Sequence, residues 1–386
     1  MKILIALGFY VIQPALWIGV IRSYLIYRNR LKKERAIFNS AIYEDFYEGR
    51  HFVRSLIIFG VLGSIILGGF LSISLPWLIV YEALMTLFLL VIPWWLLPVT
   101  IAGIASVVTL LLPTLPQLAP IFKWFNQLGI RSSSVNPINL LIIFVVVIGL
   151  TAVFIHLNGG KFDSPTLVRN QRNNKITIYK FNELSIFPFL LFVPGDWFHT
   201  SFPFMPLFQI GDHAYAVLLV PILLGLKFSV RHSVPRELFL KMSKSMYLLV
   251  GVGVVLAVVS YFVPTAVLPS IIVLWLGYYL TLMLAKRRHH QQSFEYSEVM
   301  NGIRVIGIQP ETPAAKMDLK VGDVILEVNG IKVANDDEFY RALSTNSTYC
   351  RFKVLDRNDQ LKMTESAIFK NSPHEIGVKT YTQLSN

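Results

Sequence analysis

Residues 55–122 read SLIIFGVLGSIILGGFLSISLPWLIVYEALMTLFLLVIPWWLLPVTIAGIASVVTLLLPTLPQLAPIF, an apolar run in which Glu82 is the only charged residue. A helix needs roughly 20 apolar residues to cross the hydrocarbon core of a bilayer. The run is too long for one such helix and has the length of three, with Pro76 and Pro98 near the turns between them. It indicates an integral membrane protein.

Comparable apolar runs extend to residue 285 and predict a transmembrane domain over residues 1–285, with about nine helices and a range of seven to nine. The composition agrees, because 54% of the 386 residues are hydrophobic and only 15% are charged. Outside 55–122, the predicted spans are 3–21, 138–156, 184–199, 213–228 and two between 245 and 285. The span 184–199 is short and carries Pro188 and Pro194.

The formal net charge of +12 is concentrated in short segments beside the apolar runs. These segments are 22–54, 158–182, 229–244 and the run Lys286-Arg287-Arg288. Nine spans place all four on one side of the membrane, and basic loops are enriched on the cytoplasmic side. We therefore expect the N-terminus outside, the C-terminus in the cytoplasm, and contact with membrane lipid rather than nucleic acid. Two long helices in 55–122, instead of three, would reverse the sides of everything before residue 122.

After the last span, the composition changes to that of a soluble domain. A basic juxtamembrane linker at 286–292 leads into residues 293–386, where apolar residues alternate as they do in β-strands. The single cysteine, Cys350, cannot form an internal disulfide, which fits a reducing compartment. It is expected to be a small buried residue.

Short-range signals place a helix and a hairpin in this domain. Asn335 followed by Glu338 is typical of a helix start. Phe339, Ala342 and Leu343 then share one helical face. The dipeptide Asn329-Gly330 favours the positive backbone angles that a tight β-hairpin requires.

Four segments of the domain resemble the consecutive motifs of bacterial PDZ domains. They are Gly302-Ile303-Arg304-Val305, Pro310-Glu311-Thr312-Pro313-Ala314, Val321-Gly322-Asp323-Val324-Ile325-Leu326 and Val328-Asn329-Gly330. The resemblance implies a small β-rich α+β domain that binds an extended peptide as an added strand. In this mode, successive backbone N–H groups hold the C-terminal carboxylate of the peptide.

Bacterial PDZ domains are often permuted, so that the peptide-binding strand comes last. The segment Ile376-Gly377-Val378 is well placed for this role, and Phe339 and Leu343 of the predicted helix complete the predicted peptide-binding set. The alternative is that 376–378 form a final core strand and that the helix residues belong to the core. Under the first interpretation, a β-branched residue at Gly377 should crowd the carboxylate and leave the domain folded.

No motif for membrane proteolysis was found in the chain. The sequence lacks His-Glu-x-x-His, and the predicted spans lack Gly-x-Ser-Gly. The chain also leaves no room for a soluble serine protease domain. We predict no enzymatic activity, no catalytic residue, no metal site and no cofactor. Glu82 alone is weak support for a transporter, and its role stays open.

The order of parts, together with the segment 182–195, resembles the MinJ family of Gram-positive bacteria. That resemblance implies a scaffold for division-site selection at the septum and the poles, which links the curvature-sensing coiled-coil protein DivIVA to the MinD ATPase. Two other functions stay open. One is a PDZ-bearing regulator of a membrane or secreted protease, and the other is a transporter with an accessory PDZ domain.

Overall fold

A computed structural model shows how the chain folds. It describes residues 8–38, 40–51, 53–54, 59–60, 64, 71–91, 98–130, 136–161, 164–169, 175–195, 197–198, 207–210, 213–290, 296–346, 348–368 and 376–381.

The region before the PDZ domain contains helices and one antiparallel sheet. Its helices are α1 Pro14–Phe38, α2 Leu75–Val91, α3 Pro98–Leu111, α4 Ala119–Gln127, α5 Pro137–Asn158, α6 Pro235–Phe262 and α7 Val267–His290. Its strands are β1 Ser164–Arg169, β2 Lys175–Pro194, β3 Leu207–Ile210 and β4 His213–Val230.

Three helices in the described part of the chain are long and apolar enough to cross a membrane. They are α5, α6 and the stretch Pro264–Arg287, which contains most of α7. A fourth span arises if α3 and Pro116–Gln127, which meet at a bend of 99°, count as one. The shorter α2 is also apolar, with 17 residues. The architecture is a polytopic membrane domain followed by a PDZ domain.

Several predicted spans coincide with these helices. The span 138–156 lies inside α5, and the two spans between 245 and 285 lie in α6 and α7. Pro98 begins α3 and Pro76 lies in the first turn of α2, where a proline has no helical N–H bond to lose. The first residues of the span 3–21 and most of residues 55–70 lie outside the described part of the chain.

Two of the predicted basic segments begin as continuations of helices. Residues 22–38 belong to α1, which continues from the apolar span through the basic stretch. Likewise, α7 runs to His290, so the first residues of the predicted linker 286–292 are helical. Both helices extend past the apolar region because Arg and Lys are good helix formers. In α1, Arg28, Lys32, Lys33 and Arg35 are exposed, whereas Arg30 and Glu34 are buried.

The predicted helices at 184–199 and 213–228 are wrong, because these segments lie largely in the long strands β2 and β4. The sheet order is β1-β2-β4-β3, with every neighbouring pair antiparallel. Each segment has a central proline, Pro188 and Pro221, which would break a helix at a cost of about 3 kcal/mol. The two prolines lie directly opposite each other in the β2–β4 ladder.

The outward edges of this strand pair are bonded to other parts of the membrane domain. Leu190 N donates to Ser64 Oγ at 2.9 Å, and Leu223 N donates to the Tyr81 hydroxyl oxygen at 2.9 Å. On the acceptor side, Leu219 O receives a bond from Gln13 Nε2 at 2.8 Å. These contacts supply donors and acceptors where water is scarce.

The two prolines lie at positions where an antiparallel strand forms no hydrogen bond with its partner. In an antiparallel ladder, every second residue directs its N–H and C=O away from the partner strand. Leu190 on β2, and Leu219 and Leu223 on β4, bond outward, so the residues two positions away, Pro188 and Pro221, also face outward. Proline has no N–H, and therefore neither residue removes a ladder bond or leaves a donor without a partner.

Helices cover the sheet and complete the core of the membrane domain. α1 packs on β1 and β2, α3 and α5 pack on β4, and α6 packs against α5 and α7. Most side chains of the β2 segment 184–193 are buried, as are those of residues 220–226 in β4. The strand pair is thus an interior element of the helical domain.

The C-terminal domain has a second, smaller core. Its elements are β5 Ile303–Arg304, β6 Gly307–Ile308, α8 Pro313–Lys316, β7 Val324–Val328, β8 Ile331–Lys332, α9 Asp336–Ser344, β9 Tyr349–Leu355, β10 Leu361–Ala367 and β11 Val378–Lys379. One sheet has the order β10-β9-β7-β5, with β8 paired to β7, and β11 pairs with β6 in a separate sheet.

A substitution at Tyr81 tests the hydrogen bond at the outward edge of β4. Tyr81→Phe keeps the ring, which stacks on Trp77 at 4.9 Å, but removes the acceptor for the buried Leu223 N–H. An unpaired buried donor costs about 1–3 kcal/mol, so the purified protein should unfold at a lower temperature in detergent. The control is Tyr261→Phe at a highly exposed site, where the free energy of unfolding should change by less than about 0.5 kcal/mol. Equal stability of the two variants would contradict the edge bond.

Candidate functional site

Local chemistry explains how the PDZ domain builds its helix and hairpin. The Asn335 side chain accepts a bond from Glu338 N at 2.9 Å, and Glu338 Oε2 accepts one from Ala334 N at 2.8 Å. Asn329 and Gly330 have φ angles of 51° and 84°, and Val328 pairs with Ile331 across this two-residue turn. The predicted helix start and the predicted hairpin turn are confirmed.

The predicted peptide-binding strand leads into β11, beside β6. Val378 lies opposite Ile308, while the carbonyl oxygens of Gly377 and Lys379 accept bonds from Gln309 N at 2.8 Å and Ile306 N at 2.9 Å. Because these neighbours point toward β6, the alternation directs the N–H and C=O of Val378 to the opposite side. An added peptide strand requires an edge of this kind.

Four of the five predicted site residues belong to one apolar cluster, and Gly377 lies between two of them in the chain. Ile376, Val378 and Phe339 are buried, and the half-buried Leu343 packs against them. Thr380 Oγ1 donates to Asp336 Oδ1 at 2.6 Å, which ties the chain after β11 to the first residue of α9. These contacts make 376–378 part of the core, as the alternative interpretation predicts, and peptide binding by the same segment stays a prediction.

Gly377 has a structural role that the sequence did not reveal. Its φ angle is +87°, and a Cβ placed there would lie 2.0 Å from Thr312 Oγ1. The Thr312 hydroxyl cannot easily move, since it is buried and donates to Gln309 O at 2.7 Å. The expectation that a β-branched residue at Gly377 leaves the domain folded is therefore wrong on steric grounds.

Residues next to the predicted site hold the PDZ domain against the membrane domain. Lys379 Nζ donates to Ser40 Oγ at 2.7 Å, and Gln309 Nε2 donates to Ala41 O at 2.8 Å. Ile306 packs in a small apolar cluster with Ile42. Sequence reasoning missed this interface, because its residues are ordinary polar and apolar side chains with no motif.

A second part of the interface joins the end of the chain to β2. Thr177 Oγ1 donates to the Tyr381 hydroxyl oxygen at 2.8 Å, and that hydroxyl donates to Tyr296 O. Burial raises the pKa of Tyr381 to about 12, so its hydroxyl stays protonated and can donate at neutral pH. Tyr179 extends the contact by donating to Ile306 O at 2.8 Å.

A buried arginine fixes the segment that receives the PDZ domain. Arg30 of α1 donates to Glu48 Oε1 at 2.6 Å and to Tyr43 O at 2.7 Å, and it stacks on the Tyr47 ring at 4.3 Å. Burial alone would lower the pKa of Arg30, but the bond to Glu48 and nearby acidic groups raise it overall. Glu34, four residues along α1, accepts a bond from Ile42 N at 2.8 Å. Residues 40–48 are thereby held on α1.

The described residues contain no group of three or more His, Cys, Asp or Glu side chains that could hold a metal ion. Cys350 is buried in β9. Burial raises the pKa of its thiol to about 11, which keeps it protonated and weakly nucleophilic.

Comparison with known proteins agrees with this geometry. A family model described as a PDZ domain matches residues 304–355. The cell division topological determinant MinJ of Bacillus subtilis (strain 168) is 28% identical over 385 residues, which cover 98% of this chain and 94% of the relative. The chain is similar to MinJ along almost its entire length. The probable MinJ of Lacticaseibacillus paracasei is 25% identical over 389 residues, covering 98% of each chain.

The similarity to MinJ includes both domains, and solved structures of isolated PDZ domains also match part of the chain. The PDZ domain of an SdrC-like protein from Listeria innocua has 21% identity and a TM-score of 0.18, and it covers 21% of this chain and 94% of its own. The matched PDZ model ends with β9, yet β10 pairs with β9 and β11 pairs with β6. The strands that pair with the matched region therefore extend beyond it, to Lys379.

Two matched alanine variants separate the collision of a Cβ at Gly377 with Thr312 from the backbone strain that a positive φ angle causes by itself. Gly330 also has a positive φ angle, +84°, but a Cβ there would meet nothing within 4 Å. Gly330→Ala should cost roughly 1–2 kcal/mol of backbone strain. Gly377→Ala should cost more, because its methyl group also collides with Thr312. Thermal unfolding of the two variants measures the difference, and equal destabilisation would contradict the collision.

Proposed function

We propose that this protein is a membrane scaffold in division-site selection. The observation that carries the proposal is the end-to-end similarity to two proteins named as determinants of cell division topology. Similarity over 98% of the chain includes the membrane domain, the PDZ domain and their order. A PDZ domain alone would support only a general role in peptide binding.

In this proposal, the PDZ domain recruits a partner and the membrane domain sets where recruitment happens. The partner adds an extended segment to the Val378 edge, and side chains on that segment contact the half-buried Leu343. The resemblance to the MinJ family suggests a DivIVA-like coiled-coil protein and a MinD-like ATPase as the proteins that are bridged. The cytoplasmic part of α1 and residues 40–48 offer a further surface for one of them.

The proposed role is that of an adaptor without catalysis. Both relatives are named for a topological role, and a PDZ domain recognises peptides without chemical change. The mechanism therefore requires only binding energy and position. It uses no cofactor and no metal ion.

The proposed orientation has the N-terminus outside and the PDZ domain in the cytoplasm. The β2–β4 hairpin takes the place of two predicted helices. Because its strands are antiparallel, the chain returns to the side of the membrane from which it entered, as it would after two helices. Replacing two helices by one hairpin thus leaves the sides of the following segments unchanged. The basic end of α1, residues 229–236 and the end of α7 share one side in this arrangement.

Fusions to a reporter enzyme that is active only outside the cytoplasm test this orientation. A fusion after Arg288 should be inactive, whereas a fusion at position 205, between β2 and β3, should be active. The reason is the excess of Arg and Lys in the segments assigned to the cytoplasm. Reporter activity after Arg288 would overturn both the orientation and the cytoplasmic PDZ domain.

A fluorescent fusion tests the role in division and the groove together. The wild-type fusion should gather at the septum and the poles. Leu343→Glu, which places a charge beside the Val378 edge, should abolish capture of the PDZ partner in a pull-down from membrane extract. Ser344→Glu is the control, since it adds the same charge at the next, exposed helix position and should retain the partner.

Each outcome of that experiment selects among the functions. Even distribution of the wild-type fusion over the membrane would favour a protease regulator or a transporter. Septal location with normal partner capture by Leu343→Glu would place the contact outside the α9–β11 groove. Circular dichroism of both variants verifies that the domain remains folded.

A further inference from the structure

A cavity of about 420 Å³ lies between α1 and the strands β2 and β4, away from the PDZ groove. Its walls come from α1, the start of β1, residues 180–184 of β2, residues 226–229 of β4 and the C-terminal end of α2, together with Tyr47 and Glu48. Neither the peptide groove nor the contact between the two domains uses this space.

Basic side chains dominate one half of the cavity lining. The lining contains five basic residues and two acidic residues. The basic ones are Arg22, Arg30, Lys33, Lys180 and Lys227, and the acidic ones are Glu48 and Glu183. Arg30 donates a hydrogen bond to the Glu48 carboxylate, and His51 Nδ1 lies 3.0 Å from Glu183 Oε2. Both acids are therefore engaged by groups other than the lysines.

Lys33 and Lys227 line the same cavity as Lys180, and their charges act on it. In the part of the chain that the structure describes, no carboxylate lies within ion-pair distance of Lys33, Lys180 or Lys227. Partial loss of water contact, followed by the charges of Lys33, Lys227 and Arg231, lowers the pKa of Lys180. Like charges from α1, β2 and β4 that converge in this way are relieved by a bound anion.

The other half of the cavity is apolar and adjoins exposed apolar side chains of α1 and α2. Leu25, Ile26, Leu89 and Leu226 are among its lining residues. Arg22 marks the boundary, because its Nε donates to Leu89 O at 2.8 Å and its Nη2 donates to Leu90 O at 3.0 Å. The exposed apolar side chains that continue from this point on α1 and α2 are Val20, Ile21, Leu87, Leu90 and Val91.

We propose that this cavity binds the phosphate headgroup of an anionic diacyl phospholipid, whose acyl chains lie along α1 and α2. The lysines supply point charges for the phosphate, and Ser164, Thr166 and Ser229 supply hydroxyl groups beside them. Basic pockets between membrane helices are suited to such headgroups. A free phosphate compound shares the charge chemistry, but it has no use for the apolar half or the exposed surface beyond it.

Native mass spectrometry of the full-length protein in detergent tests the assignment. The probes are phosphatidylglycerol, phosphatidylcholine and glycerol phosphate, each added at the same concentration. The wild type should retain phosphatidylglycerol in preference to the other two. The combined variant Lys33→Gln, Lys180→Gln and Lys227→Gln should lower phosphatidylglycerol occupancy by at least about tenfold. The matched control removes three basic charges from α1 outside the cavity, by Arg28→Gln, Lys32→Gln and Arg35→Gln, and should bind as the wild type does.

Every other result would overturn the proposal. Retention of glycerol phosphate as strongly as phosphatidylglycerol would identify a phosphate site without a lipid. Equal loss of binding in the two triple variants would show general charge attraction instead of a site. Unchanged binding in the cavity variant would place any lipid elsewhere. The melting temperature of each variant verifies that it is folded, and the exposed positions of Lys33, Lys180 and Lys227 make that the expected result.

Discussion

The membrane domain depends on the satisfaction of backbone hydrogen bonds along the β2–β4 strand pair. A strand pair inside an apolar helical domain exposes two rows of N–H and C=O groups, and water is not available there to bond them. Ser64, Tyr81 and Gln13 supply side-chain partners from the surrounding segments, and Pro188 and Pro221 reduce the number of donors that need one. The helices around the sheet therefore contribute specific polar contacts in addition to apolar surface.

The PDZ domain is joined to this arrangement through residues that the hairpin and α1 hold in place. Thr177 and Tyr179 of β2 bond Tyr381 and Ile306, and the Arg30 network on α1 fixes residues 40–48, which receive Lys379. Lys379 directly follows Val378, which belongs to the proposed peptide site. The same short strand therefore contacts the membrane domain through its last residue, directly beside that proposed site.

Signals that act over a few residues predicted structure correctly. The cap at Asn335 and the turn at Asn329-Gly330 depend on local backbone geometry, and both occur as expected. Four of the five candidate site residues share one apolar cluster, but their role in peptide binding stays a prediction. The constraint on Gly377 was not predictable, because it comes from Thr312, a residue distant in sequence that reaches it only after β11 pairs with β6.

The distribution of apolar and charged residues along the sequence determined that most of this chain belongs in a membrane and that a soluble domain follows. The sequence also predicts the helices α5, α6 and α7, because each has a long apolar run with no proline near its middle. Only the tertiary structure decided that 184–194 and 213–228 are strands. A short apolar segment can satisfy its backbone either within one helix or with a neighbouring strand, and the neighbour is chosen by the fold.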